Sequence, residues 1–334
     1  MRPHSDRSPF RVAAIPRRLA IAGILPIYAA RAEQFFPDRP IRLVIPWPPG
    51  GTNDIIGRLV TEGMAAKLGQ PVVIENRGGA GGMLGADVVA KAPADGYTLV
   101  LGGSGSLTIT SLVQVRLPYD VATGFAPVGM MAQGPNVIVV HPDVPAQTLL
   151  ELQAVARAAR PPLSYASPGV GSTGHAAGAM IAQALDVEME HIPYRGTGPA
   201  LNDVLAGRVQ VFTNALAPML PHVQAGSLRA LAIAGARRSA ALPVLPTTAE
   251  QGFPQIEAST WFALLATGGT PPDRVRLLHR VLNEVLADPE LRRKLLDGGV
   301  EVEPSASPEA FAAYFAADRA RWAPVVRRAG MRVE

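Results

Sequence analysis

The chain has no cysteine. That excludes disulfide staples, a thiol nucleophile and the lipid-bearing cysteine of a bacterial lipoprotein. Aromatic residues make up only 5% of it, and with many Ala, Gly and Pro this fits an α/β protein rich in helices and loops. No apolar run reaches the ~20 residues that span a bilayer. The five histidines past the first 32 residues (His141, His175, His191, His222, His279) have no metal-ligand spacing, so no metal and no cofactor are expected. No repeat or low-complexity tract stands out.

A surplus of charge is also missing once the N-terminus is set aside. Residues 1–32 carry six Arg and one Asp, or +5, while the whole chain is +4. The remaining 302 residues are therefore at about −1, too little to build a basic patch for nucleic acid or an anionic membrane. The first segment reads as a secretory signal. Arg2, Arg7, Arg11, Arg17 and Arg18 form a basic region, Leu19 to Ala30 a short apolar one, and Ala30-Arg31-Ala32 a small-x-small cleavage site. Export to the periplasm with cleavage after Ala32 is expected. Arg17-Arg18 leaves twin-arginine export open, although the flanking residues match that signal poorly.

What is present is a repeated junction. Ile41 to Ile45 is a β-type run that meets Pro46-Trp47-Pro48-Pro49-Gly50-Gly51, and Thr52-Asn53-Asp54 then opens a helix pattern. Prolines stop the strand and glycines take angles closed to other residues. Bare N–H groups at a helix N-terminus suit a carboxylate or phosphate. Three further strands run into glycine loops: Val72–Arg77 into Gly78–Gly82, Tyr97–Leu101 into Gly102–Ser106, and Leu163–Ser167 into Pro168–His175. Such grammar implies parallel α/β sheets that bind ligands at the carboxyl ends of their strands.

The alternation continues to about Ala266, after which Pro271–Ala287, Pro289–Leu296 and Pro308–Ala329 read as closing helices. The expected organisation is a signal over 1–32, a first lobe over 33–136, a second over 137–258, and a return of 259–334 to the first. Two crossings near Pro135 and Ser259 would form a hinge.

Four segments carry a family resemblance. They are Pro46 to Arg58 (Pro-aromatic-x-x-Gly-Gly-x-x-Asp), Val73–Gly82 running on to Lys91–Leu99, Ile192–Ala200, and Gly226–Ala232 followed by Leu242–Thr248. In these the chain resembles the substrate-binding proteins of the tripartite tricarboxylate transporter family, also called the Bug family. The resemblance covers essentially all of the chain after the signal. It implies a two-lobed α/β clamshell of the periplasmic-binding-protein type (type II-like), each lobe a mixed or parallel sheet flanked by helices. It implies no enzyme activity. The partners implied are a small carboxylate (an amino acid, a di- or tricarboxylate or an aromatic acid), which backbone amides, hydroxyls and ordered waters would hold, and the membrane permease subunits of the transporter. A monomer is expected. An alternative with the same pocket presents the bound ligand to a sensor kinase. A secreted hydrolase or isomerase is the cross-class alternative.

The expected ligand-binding set is Trp47, Gly51, Thr52, Asp54, Ser104 and Ser106 from the first lobe. From the second it is Ser167, Gly171, Ser172, Thr173, Gly196, Thr197, Thr213 and Asn214. Asp54 is expected to read a ligand amine or hydroxyl. Gly169-Val170-Gly171-Ser172-Thr173-Gly174 matches a Gly-x-Gly-x-x-Gly dinucleotide loop formally, but the next strand ends at Ile192-Pro193 without the required acid. Ser104, Ser106 and Ser172 lie outside any Gly-x-Ser-x-Gly nucleophile elbow. His175 is expected to be a structural hydrogen-bonding group, Arg77 and Arg195 to serve strand-end packing or salt bridges, and Trp261 to sit in the core.

N-terminal sequencing of the protein recovered from the periplasm should begin at Glu33, and cytosolic protein that keeps Met1 would overturn the signal assignment.

Overall fold

The computed structural model describes residues 35–331, so the signal expected over 1–32 lies outside the described residues. Chain order sets out a sheet in two parts. The first holds β1 (Ile41–Ile45), α1 (Thr52–Leu68), β2 (Val72–Asn76), α2 (Met83–Ala90) and β3 (Thr98–Gly103). A π-type helical segment, Ser104–Ile109, and the short α3 (Thr110–Val113) follow, and lead to β4 (Phe125–Val140). The second part holds α4 (Leu149–Ala158), β5 (Leu163–Ser167), α5 (Thr173–Leu185), β6 (Met189–Pro193), α6 (Thr197–Leu205), β7 (Val211–Ala215), α7 (Leu220–Gln224) and β8 (Arg229–Ile233). β9 (Ser259–Thr267), α8 (Pro272–Leu286), α9 (Pro289–Asp297), β10 (Glu301–Val302) and α10 (Pro308–Arg328) close the chain.

The strands lie in the order β2-β1-β3-β9-β4-β7-β5-β6, with β8 and β10 added to β4. β1 pairs in parallel with β2 and β3, and β5 in parallel with β6 and β7. The centre is antiparallel. β9 sits between β3 and β4, and β7 and β8 pair with the far end of β4. β4 changes partners along its length: Phe125–Pro135 runs against β9, Asn136–Val140 against β7.

Period-two alternation puts each strand's side chains on both faces. Phe262 and Leu264 of β9 join Leu43, Ile45, Ile56 and Leu282 on one face. Trp261 and Leu265 join Val44, Val100, Phe311 and Phe315 on the other. Helix α1 meets the sheet through Ile56, Val60 and Met64, one turn apart each. Gly57 lets it lie close, since a Cβ there would come within 2.7 Å of Ile45 and 3.3 Å of Leu101.

The first half of β4 was not expected. Pro127, Gly129, Gly134 and Pro135 read as breakers, and the structure accommodates the first pair with register shifts at Pro127/Gly129 and Met130/Ala132. Likewise β3 runs on through Gly103, and the expected Gly/Ser loop coils into the π-type segment. The closing residues also divide their packing. Phe311 and Phe315 of α10 pack beside Trp261. Trp322 and Val326, two turns on, enter the core of Ile138, Leu149, Leu163 and Ile181, as do Ile109 and Val113. Residues 259–331 therefore do not pack on the first part alone.

One buried carboxylate ties these pieces together. Asp318 of α10 accepts hydrogen bonds from Trp261 Nε1 (2.7 Å), Thr108 Oγ1 (2.9 Å) and Arg321 Nη2 (3.0 Å). Replacing it with Ala strands a buried indole N–H and a hydroxyl, each worth roughly 1–3 kcal/mol when unsatisfied. Asp318→Ala should lower the thermal midpoint by several degrees in differential scanning calorimetry, about 2–4 °C for each kcal/mol lost at this size, and Asp318→Asn by less.

Candidate functional site

Three helices aim their N-termini at one cleft between the two parts of the sheet. Gly51 leads into α1 and Gly196 into α6, both without a side-chain cap. Ser172 leads into α5; its hydroxyl accepts from the backbone N–H of His175 (3.1 Å) and donates to Gly169 O (2.7 Å). The first N–H groups of a helix have no partner inside it and carry the positive end of its dipole.

The cleft is open to solvent and has a volume of about 480 Å³. Of the expected set it brings together Trp47, Gly51, Thr52, Ser172, Thr173, Thr197 and Asn214. Its polar wall continues into Asn53 and Thr260. Thr260 Oγ1 lies 2.7 Å from Thr173 Oγ1 and 3.1 Å from Asn136 Oδ1, so a hydroxyl ladder links β9, β4 and α5. Asn214 Nδ2 donates to Thr197 Oγ1 (3.0 Å). The Thr52 hydroxyl is buried and has no partner among the described residues. Among the described residues, no Arg, Lys, His, Asp or Glu lines the cleft. A guest carboxylate there would meet neutral donors only.

Other expected residues sit behind this lining. Ser104 Oγ accepts from the Trp261 N–H (3.0 Å), and Ser106 Oγ bonds the Gly103 backbone. Ser167 Oγ lies 2.7 Å from His191 Nε2 and bonds Gly169, while Thr213 is fully buried. Gly171 and Gly196 shape the neighbouring loops. Asp54 is also behind the wall. Its carboxylate accepts from the Gly50 N–H (3.1 Å), Asn76 Nδ2 (3.1 Å) and both arms of Arg58 (3.0 and 3.1 Å). Burial opposes its charge, but the Arg58, Gly50 and Asn76 hydrogen bonds outweigh this and hold its carboxyl below the usual carboxylate range. Asn76 also donates to Trp47 O (3.1 Å), so this network stiffens the loop that presents Trp47 and Gly51. Arg77 pairs with Glu75, away from the cleft.

Sequence reasoning missed Pro48, Asn53, Gly103, Gly105, Pro168, Ala215, Thr260 and Phe262. Adjacency to the Gly51-Thr52 and Ser167 signals could have found Asn53 and Pro168. Nothing local marks Thr260 or Phe262, which only the β9 pairing delivers. Gly105 lies between Trp47 and the start of α5. A Cβ there would lie 3.4 Å from Thr173 N and 3.5 Å from Trp47 Cζ2.

With this geometry in place, the relatives can be compared. The family model described as "Tripartite tricarboxylate transporter family receptor" matches residues 56–331. The chain belongs to the tripartite tricarboxylate transporter receptor family. Protein BugT of Bordetella pertussis is 36% identical to this receptor over 323 residues, covering 95% of this chain and 99% of its own. Among solved structures, R. palustris Rpa4515 with adipate is 36% identical with a TM-score of 0.85, covering 89% of this chain and 99% of its own. MatC from Rhodopseudomonas palustris with bound malate is 31% identical with a TM-score of 0.82, covering 87% and 100%. The periplasmic binding protein BugD is 34% identical with a TM-score of 0.84, covering 90% and 100%. The receptor has the two-lobed periplasmic-binding-protein clamshell fold of these structures.

Beneath the α5 loop the receptor stacks two imidazoles, His175 on His191, with ring centres 3.9 Å apart and planes 4° from parallel. Gly171 N–H donates to His175 Nδ1 (3.4 Å), so a proton there would face another N–H. Burial lowers the His175 pKa to about 3, with His191 adding repulsion, and burial lowers that of His191 to about 4. Both are neutral in the fold and take up protons near pH 6.5 once unfolded. Stability is therefore highest above about pH 6.5 and falls with pH down to the folded values, by up to about 1.4 kcal/mol per pH unit for each imidazole. Thermal midpoints measured from pH 7 to pH 4 should fall steeply in the parent protein, and His191→Phe should flatten that slope by about half.

Proposed function

We propose that this protein is a periplasmic solute-binding protein whose lobes close on a small carboxylate and deliver it to the permease subunits of a tripartite transporter. The single observation that carries the reading is the cation-free cleft on which the N-termini of α1, α5 and α6 converge. The lobes are taken to meet at the β4 and β9 crossings, beside Asn136 and Thr260. Neutral donors to a charged acceptor contribute roughly 1.5–3 kcal/mol each. Four or five can offset desolvation of one carboxylate and leave micromolar binding, roughly −8 kcal/mol. The adipate and malate held by two relatives support a carboxylate as cargo. The absence of any acid, base or nucleophile–base pair from the described lining favours capture over hydrolysis.

Calorimetric screening of amino acids, di- and tricarboxylates and aromatic acids tests the reading, and at least one carboxylate should bind with little dependence on salt, since no exposed ion pair carries it. Thr173→Ala should weaken that ligand about tenfold by removing one donor. Gly105→Val puts a side chain between Trp47 and the start of α5 without a strained backbone angle, so it should abolish binding while the thermal midpoint stays close to the parent's. If instead Arg77→Ala abolishes binding and Thr173→Ala does not, capture rests on an arginine clamp.

A further inference from the structure

Beyond the polar cleft, and sharing Trp47, Pro48 and Pro168 with it, lies a second space of about 850 Å³. The two differ in chemistry. Thr52, Asn53, Ser172, Thr173, Asn214 and Thr260 make the inner wall hydrogen-bonding. The outer wall adds Ala80, Val170, Pro193 and Tyr194 to the shared Trp47 and prolines. Tyr194 has committed its own hydroxyl to Asp203 (2.7 Å), which leaves only its ring to offer. The polar side chains of the outer wall are Gln114 and Arg195, apart from that engaged hydroxyl. Arg195 is exposed and makes no hydrogen bond or ion pair among the described residues. It is the sole charged residue in either lining, so a cationic substituent at that end would be disfavoured.

A polar cleft bordering an apolar outer chamber across the shared Trp47, Pro48 and Pro168 fits a ligand of matching polarity. A compact hydroxylated dicarboxylate would set polar groups against proline and indole, whereas a ring would bury apolar surface there. We propose that the outer chamber is a second subsite that takes an apolar, above all aromatic, ligand body against Trp47, so that the preferred cargo is an aryl carboxylic acid rather than a compact polar one. This rests on the capture reading above. Trp47 is the natural specificity residue, because it faces both spaces and its ring edge lies over Gly105 beside the start of α5.

The test is titration calorimetry of the parent protein with benzoate, phenylacetate, malate and succinate, repeated on Trp47→Ala and the uncharged Val170→Asn. The aryl acids should bind at least tenfold more tightly than malate or succinate, in keeping with burial of one ring. Val170→Asn should remove most of that advantage and change the affinity for succinate by less than about threefold, whereas Trp47→Ala, which also opens the polar cleft, should weaken the aryl acids more than succinate. Val170→Asn keeps the comparison available if Trp47→Ala fails to fold, and the ranking on the parent protein needs no variant. Malate or succinate binding more tightly than both aryl acids would overturn the subsite and leave carboxylate capture standing. Uniform weakening of all four ligands by both variants would reduce Trp47 and Val170 to scaffold and likewise overturn it. Failure of every carboxylate to bind would overturn both readings.

Discussion

The antiparallel pairing of β4 with β9 is the constraint on which the rest of the molecule depends. β9 inserts between β3 and β4, so a strand from residues 259–267 completes a sheet begun by residues 41–103. β4 then continues past Pro135 and becomes the platform for β7 and β8. Both parts therefore hang from one sixteen-residue strand and its neighbour. The point where β4 exchanges partners, at Asn136 opposite the start of β9, is also where Thr260 reaches Asn136 and Thr173. A ladder thus ends in hydroxyls at the cleft, and α10 bridges the same two parts through Phe311 on one side and Trp322 on the other.

Charge is organised around the cleft but kept out of it. Asp54 and Arg58 neutralise each other behind the α1 loop, Glu75 takes Arg77 and Arg42, and Asp318 is held by Trp261, Thr108 and Arg321. What remains facing the interior is a set of partial charges on helix ends and hydroxyls. Partial charges cost far less to leave in a half-buried cleft than a full cation would, and they need no counter-ion when the cleft stands open. The histidine stack follows the same logic. Two neutral imidazoles fill space under α5, and His175 accepts a loop N–H, without placing a formal charge beneath the cleft at neutral pH.

The sequence by itself determined the local pieces. Proline pairs, glycine pairs and Ser/Thr caps act within a few residues, so the strand-loop-helix junctions at Pro46–Asp54 and Pro168–His175 were legible, as were the residues at their tips: Trp47, Gly51, Thr52, Ser172 and Thr173. The closing helices showed in the same way through Pro271-Pro272, Asp288-Pro289 and Ser307-Pro308. Only the tertiary structure decided which tips meet. Thr260, Phe262 and Gly105 come to the cleft through pairings across 124 residues and more, for which no local signal exists. The first half of β4 was hidden because its prolines and glycines oppose strand formation locally and are overruled by pairing with β9 on one side. Asp54 shows the reverse limit. Its type and position suit a ligand contact and a loop brace equally, and only the placement of Gly50, Arg58 and Asn76 around its two oxygens, a matter of packing in three dimensions, decided that its carboxylate holds the loop.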